Sequence, residues 1–161
     1  MRLRPIEDRF WEKVDRRSDE ECWEWTAALT SNGYGKLNRG GRGCGEIYAH
    51  RLSFEMHTGP IPDGYVIDHK CHNTACVNPA HLQAVTQKQN MENLALRVNN
   101  RSGVRGVHWS KNAKKWHAIV HHDKRTRHIG YFSSLADAEA AVVAARNEVF
   151  TNNLADREPA A

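Results

Sequence analysis

Nowhere in these 161 residues does an apolar run approach the ~18 residues that a membrane-spanning helix needs. The opening stretch, "MRLRPIEDRFWEKVDRR", lacks the apolar segment of a secretory signal. No internal repeat is visible, and no segment reads as a dimerisation arm. These absences predict a cytoplasmic protein whose thiols stay reduced, with a monomer favoured over a homodimer. The four cysteines therefore point to metal ligation before disulfides. Acidic residues are scarce in one region: Arg101 to Tyr131 holds eight Lys or Arg and a single Asp, a net of +7. The whole chain carries only +4, so the remainder stands at −3. A basic module attached to a mildly acidic body predicts a nucleic-acid partner. What is present supports a packed state, with 40% hydrophobic and 26% charged residues.

Periodicity predicts an α+β chain. Residues 5 to 15 read as a helix, with Ile6, Phe10, Trp11 and Val14 at helical spacing. The aromatic, glycine-punctuated stretch from Cys22 to His50 reads as a hairpin or small sheet. "HRLSFEMHTG" predicts a short helix ended by Gly59 and Pro60, and "GYVIDH" a strand ending on Asp68 and His69. "ACVNPAHL" reads as loop, and a helix from about Gln87 to Arg97 follows, with Thr86 as its N-cap. "NNRSG", residues 99–103, reads as a linker. Beyond it three alternating runs with short turns predict a three-stranded antiparallel sheet. A helix capped by Ser134 follows, with Leu135, Ala138, Val142, Ala145 and Val149 as its apolar stripe. The expected division is 1–98, linker 99–103, 104–150, and a frayed tail 151–161.

"HKCHNTACVNPAHLQAVTQKQN", residues 69–90, carries the chemistry. Cys71-x4-Cys76-x4-His81 offers three ligands of the kind that hold zinc, and a structural zinc site takes four. Cys22, Cys44 and His72 are the candidates for the fourth. His72 adjoins Cys71, too close to wrap a tetrahedron, and Cys22 is preferred to Cys44. His69 is then free of the metal, and Asn90 follows 21 residues later on the expected helix.

That layout resembles the HNH (ββα-metal) nucleases, and "HKCHNTACVNPAHL" is similar to the His-Cys box of homing endonucleases. The resemblance covers residues 22–95 and points to enzymes encoded by bacteriophages, acting in the bacterial host. It implies a zinc-stabilised ββα-metal domain that hydrolyses DNA phosphodiester bonds. It makes His69 the general base, Asn90 and Asp68 ligands of a catalytic Mg²⁺ or Mn²⁺, and Arg51 a contact to the scissile phosphate. Cys22, Cys71, Cys76 and His81 become ligands of structural Zn²⁺. Asn78 is expected to hydrogen-bond the loop backbone.

The segment "SGVRGVHWSKNAKKWHAIV...RTRHIGYFSSLADAEAAVVAA" is similar to the DNA-binding domain of plant ethylene-response factors. There a three-stranded sheet lies in the major groove of double-stranded DNA, braced by one helix. The resemblance implies DNA contacts by Arg105, His108, Trp109, Lys115, His117, His121, Arg127 and His128. Alternation turns Trp116, Ala118 and Val120 towards the helix, and Lys115, His117, Ile119 and His121 outwards. The expectation is a DNA endonuclease targeted by an attached sheet. The alternative is a non-catalytic DNA-binding regulator that keeps a degenerate nuclease fold as a zinc scaffold.

Overall fold

A computed structural model describes residues 4–41, 43–94, 96 and 99–156. No helix among them is long and apolar enough to cross a membrane. The chain divides into two compact units, Met1–Gln87 and Lys88–Ala161. The division falls earlier than the boundary at residue 98 expected from the sequence.

In the first unit α1 (Ile6–Trp11) is shorter than expected. Val14 leaves the helix because it belongs to β1 (Val14–Asp15), antiparallel to β2 (Glu24–Trp25), where it sits opposite Trp25. Phe10 is fully buried and its ring meets Trp11 and Trp25 at 5.0 and 5.5 Å. Trp23, Leu37, Ile47, Leu52 and Val77 complete this core. β3 (Lys36–Asn38) and β4 (Glu46–Tyr48) form a hairpin. Leu37 and Ile47 face inwards across it, while Lys36 and Glu46 pair outside at 3.1 Å.

α2 (Ala49–Thr58) follows β4 and buries Ala49, His50, Leu52, Ser53 and Phe54. It stops at Gly59, whose φ of 110° suits a residue without Cβ. β5 (Tyr65–His69) pairs antiparallel with β6 (Leu82–Thr86), placing Asp68 opposite Gln83 and His69 opposite Leu82. The sequence reading assigns no strand to β6. Leu82 and Val85 are buried, and their partners lie more than ten residues away in sequence. Pro79–His81 forms a single 3₁₀ turn within the expected loop, capped by the Asn78 side chain.

The helix after β6, α3 (Gln87–Glu92), has six residues and stops short of the expected Arg97, which lies outside the described residues. β7 (Val107–Ser110), β8 (Lys115–His122) and β9 (Arg125–Phe132) form a three-stranded antiparallel sheet with a bulge between Ala118 and Ile119. α4 (Leu135–Val149) is capped by Ser134, whose Oγ accepts from the N–H groups of Ala136 and Asp137. Ala138, Val142 and Ala145 bury against Val107, Ala118 and Val120. Gly106 lets the chain enter this core: a Cβ there would stand 2.5 Å from the Ile119 carbonyl oxygen.

Two expectations change in this unit. The segment read as a linker is tied down, because Asn100 Oδ1 accepts from the N–H groups of Ser102 and Gly103 and Asn100 Nδ2 donates to the Val104 carbonyl. The segment read as a frayed tail is docked through residue 156: Asn152 and Asn153 are buried and Arg146 forms an ion pair with Asp156. Residues 157–161 lie outside the described set.

Candidate metal centre and active site

The loop between β5 and β6 runs back along the segment that opens with Cys22. Trp25 N–H donates to the Ala75 carbonyl at 3.0 Å and Val77 N–H to the Trp23 carbonyl at 2.8 Å. Cys22, on the chain entering β2, is thereby brought to the loop that carries Cys71, Cys76 and His81. Their ligand atoms all lie within 4.8 Å of one another. His81 Nδ1 stands 3.7 Å from Cys22 Sγ and 3.6 Å from Cys76 Sγ. Tetrahedral zinc with Zn–S of ~2.3 Å and Zn–N of ~2.0–2.1 Å separates sulfur from nitrogen by about 3.6 Å. The donor set and its spacing therefore fit zinc. Cys44 is exposed and stands outside the group, so the choice of fourth ligand falls to Cys22. His72, exposed at φ 56°, is also outside it.

The clustered thiols suit a cation. The contact between Cys71 and Cys76 pulls the Cys71 thiol down to about 5, and the same contact pushes Cys76 up. Burial raises Cys22. Three clustered thiols cannot all ionise together, because each thiolate repels the next; a bound dication removes that conflict. Asn78 locks the loop, as expected. It is 1% exposed, and its Nδ2 donates to the carbonyls of Asp19 and Glu21 at 2.8 and 2.7 Å. Its Oδ1 accepts from Ala80 N–H at 2.9 Å, and its own N–H points at Cys76 Sγ at 3.4 Å.

His69 ends β5 beside this centre and is buried. Its Nε2 lies 3.0 Å from the Cys76 carbonyl oxygen, which can only accept, so Nε2 carries the proton and Nδ1 keeps a lone pair. Burial lowers the His69 pKa, so the ring favours its neutral form. Asp68 precedes it and, by strand alternation, projects to the other face, where its Oδ2 accepts from Gln83 Nε2 at 3.0 Å. Arg51 is half-buried on α2. Asn90 is half-buried on α3, in the second unit.

One residue beside His69 was given no role in the sequence reading. His50, on α2, places its ring 4.8 Å from that of His69 and 5.2 Å from Tyr34. It is buried, its Nδ1 has no hydrogen-bond partner, and its pKa is pushed down to about 3, by burial first and then by the charges of His69 and Arg51. Its adjacency to Arg51 in "AHRL" was the available signal.

In the second unit the sheet sorts the expected DNA-facing residues onto two faces. His108, His117 and Tyr131 form one cross-strand row. His117 Nδ1 lies 3.1 Å from His108 Nε2, and its ring stacks on Tyr131 at 4.6 Å and approaches His128 at 4.5 Å. His121, bonded to Thr126 Oγ1 at 2.8 Å, and exposed Lys115 alternate onto the same face. Burial, then the neighbouring His108 and His128, lower the His117 pKa.

Three of the expected contacts do not join them. Trp109 shares the pleat side of Val107 and packs edge-on against its cross-strand partner Trp116, because alternation puts it on the other face from His108. Arg127 sits opposite Val120 on the helix side and pairs with Glu148 of α4 at 2.8 Å. Arg105 is drawn inwards: its guanidinium donates to the carbonyls of Glu92 and Met91 at 2.6 and 2.9 Å.

Residues 47–92 match the HNH endonuclease family model. The HNH-matching segment holds His50, Arg51, Asp68, His69, Cys71, Cys76, His81 and Asn90, and excludes Cys22 and the three-stranded sheet. The chain is 36% identical over 84 residues to protein 7.7 of Escherichia phage T7, covering 52% of this chain and 62% of that protein. It is 41% identical over 63 residues to the gene 5.3 protein of Enterobacteria phage T3, covering 37% and 62%. Protein 2.8 of phage T7 is 32% identical over 82 residues, covering 51% and 55%. The matched stretches thus span about three-fifths of these relatives' lengths. No solved structure is a significant match.

Proposed function

We propose that this chain is a metal-dependent endonuclease of the homing type that hydrolyses phosphodiester bonds of double-stranded DNA. The observation that carries the reading is the state of His69. Its Nε2–H is committed to the Cys76 carbonyl of the metal loop, so the ring is fixed and Nδ1 is left as a base. The HNH match over the same residues supports it.

In this reading the Cys22, Cys71, Cys76 and His81 group holds structural zinc and stabilises a ββα-metal fold. His69 Nδ1 takes a proton from water as the water oxygen bonds to phosphorus. The P–O3′ bond breaks, leaving a 5′-phosphate and a 3′ oxygen that gains a proton. Asp68 and Asn90 offer hard oxygens that suit Mg²⁺ or Mn²⁺, which when bound neutralises phosphoryl charge. Arg51 supplies a fixed positive charge to the phosphate. The outward face of the second unit's sheet, with His108, Lys115, His117, His121 and His128, rests in the major groove, which admits a β-sheet as readily as a helix. Lys111, Lys114, Lys124 and Arg125 lie in or beside the strand turns and reach phosphates. The setting is the cytoplasm of a phage-infected bacterium.

His69→Ala tests the mechanism. Loss of a general base costs ~10²–10⁴-fold in rate, while zinc content and DNA affinity should stay at wild-type levels. Equal cleavage by the zinc-loaded variant would remove His69 from the chemistry.

A further inference from the structure

α3 has six residues, too few to be stable on its own propensity, since isolated helices below ~12–15 residues are marginal. The second unit holds it at two points. Arg105 reaches its carboxyl end: Nη1 donates to the carbonyls of Glu92 at 2.6 Å and Leu94 at 3.3 Å, Nη2 to that of Met91 at 2.9 Å. The same guanidinium lies 5.5 Å over the Phe150 ring. A cation among terminal carbonyls is favoured both as a hydrogen-bond donor and by the helix dipole. The second point is the Glu92 carboxylate, 4% exposed, whose Oε2 accepts from Thr151 N–H at 2.7 Å, Thr151 Oγ1 at 3.0 Å and Asn152 N–H at 3.0 Å. Asn152 Nδ2 returns a bond to the Gln89 carbonyl at 3.3 Å.

We infer that Glu92 and Arg105 are positioning residues for Asn90, a clamp through which the DNA-binding unit builds and orients the helix that carries a catalytic-metal ligand. This rests on the role given to Asn90 under the proposed function. The sheet that grips DNA and the amide that serves the metal then belong to one folded unit. Removing the sheet withdraws the support of Asn90 even where Asn90 itself is kept, so a fragment ending at residue 99 is not a working nuclease. Arg105, expected to touch DNA, acts on protein carbonyls instead.

The test uses the full chain, zinc-loaded, as wild type, Glu92→Ala, Glu92→Gln and Arg105→Ala. Hydrogen exchange is read on peptides spanning α3 and, as a fold control, on α4 and β8. Single-turnover nicking of supercoiled plasmid is read across a Mg²⁺ series. Glu92→Ala and Arg105→Ala should speed exchange in α3 while α4 and β8 stay protected. Nicking should fall about 10–100-fold, the loss that a misplacement near 1 Å brings, with more Mg²⁺ needed for half-maximal rate. Glu92→Gln keeps an amide oxygen for the three donors and should recover most of the rate and the protection. Faster α3 exchange with unchanged nicking and Mg²⁺ requirement overturns the inference, as does unchanged exchange. Global loss of protection in Arg105→Ala passes the decision to the Glu92 pair, where equal behaviour of Ala and Gln overturns it. A wild-type chain that never nicks overturns the nuclease reading and takes the positioning role with it, while the exchange data still report the clamp.

Discussion

Asn78 is the side chain on which the metal loop closes, and its replacement is a graded test of that closure. Alanine at this position strands the Asp19 and Glu21 carbonyls and the Ala80 N–H, which now receive or donate bonds of 2.7–2.9 Å. An unsatisfied buried polar group costs about 1–3 kcal/mol. Asp19, Glu21 and Ala80 are themselves exposed, so water can recover part of the loss. A net cost of about 2–4 kcal/mol follows for Asn78→Ala. Asn78→Asp keeps the acceptor for Ala80 but turns a carboxylate oxygen towards two carbonyl oxygens, with the site 1% exposed, so it should destabilise at least as much. The assay is urea unfolding of the zinc-loaded chain. With m near 1–3 kcal/mol/M the midpoint should move down by about 0.7–4 M. Zinc should also pass faster to a chromophoric chelator, because Asp19 and Glu21 lead into the ligand Cys22. An Asn78→Asp variant with wild-type midpoint and zinc retention would refute the role given to this side chain.

Three further outcomes are expected. Cys22→Ser should lose zinc and unfold the first unit, whereas Cys44→Ser should keep one zinc per chain and the wild-type melting temperature, both read by metal analysis and calorimetry. DNA affinity should rise as pH falls below the ordinary imidazole value of ~6.5 at fixed ionic strength. His117, held neutral by burial and by His108 and His128 and stacked on Tyr131, gains a proton when a phosphate arrives; anisotropy titrations of wild type and His117→Gln check this, and a pH-independent wild type contradicts it. His50, with its folded pKa pushed down to about 3 against ~6.5 unfolded, favours the fold fully above pH 6.5 and loses that contribution as pH falls towards 3, at up to ~1.4 kcal/mol per pH unit. Urea unfolding between pH 6.5 and 5.5 should show a shallower pH slope in His50→Gln.

Much of the metal centre was legible because its ligands are local and chemically distinctive. Cys71, Cys76 and His81 lie within eleven residues, and only Cys22 had to be chosen against an alternative. The faces of β8 were legible because alternation holds along the whole strand, the extra residue at the register shift, Ile129, belonging to β9. What the sequence concealed depends on distant partners. β6 has five residues of ordinary composition and exists because β5 pairs with it. α1 gives up Val14 to a strand partner beyond Ser18. Arg105 reads as a basic DNA contact until its guanidinium is seen among the carbonyls of α3, and 151–156 reads as frayed until the Glu92 carboxylate is seen to gather its N–H groups. His50 escaped because a histidine on a helix facing a core is ordinarily structural. The ring of His69, 4.8 Å away, and an Nδ1 without a hydrogen-bond partner single it out.

The central claim is that the chain cuts DNA, and the direct measurement is the conversion of supercoiled plasmid by the zinc-loaded wild type in a Mg²⁺ and Mn²⁺ series. The account predicts open-circular product that appears only with added metal, is blocked by excess chelator, and bears 5′-phosphate and 3′-hydroxyl ends. Plasmid that is bound and shifted in the gel yet stays supercoiled at every metal concentration would contradict it, and would make the chain a DNA-binding protein built on a zinc scaffold.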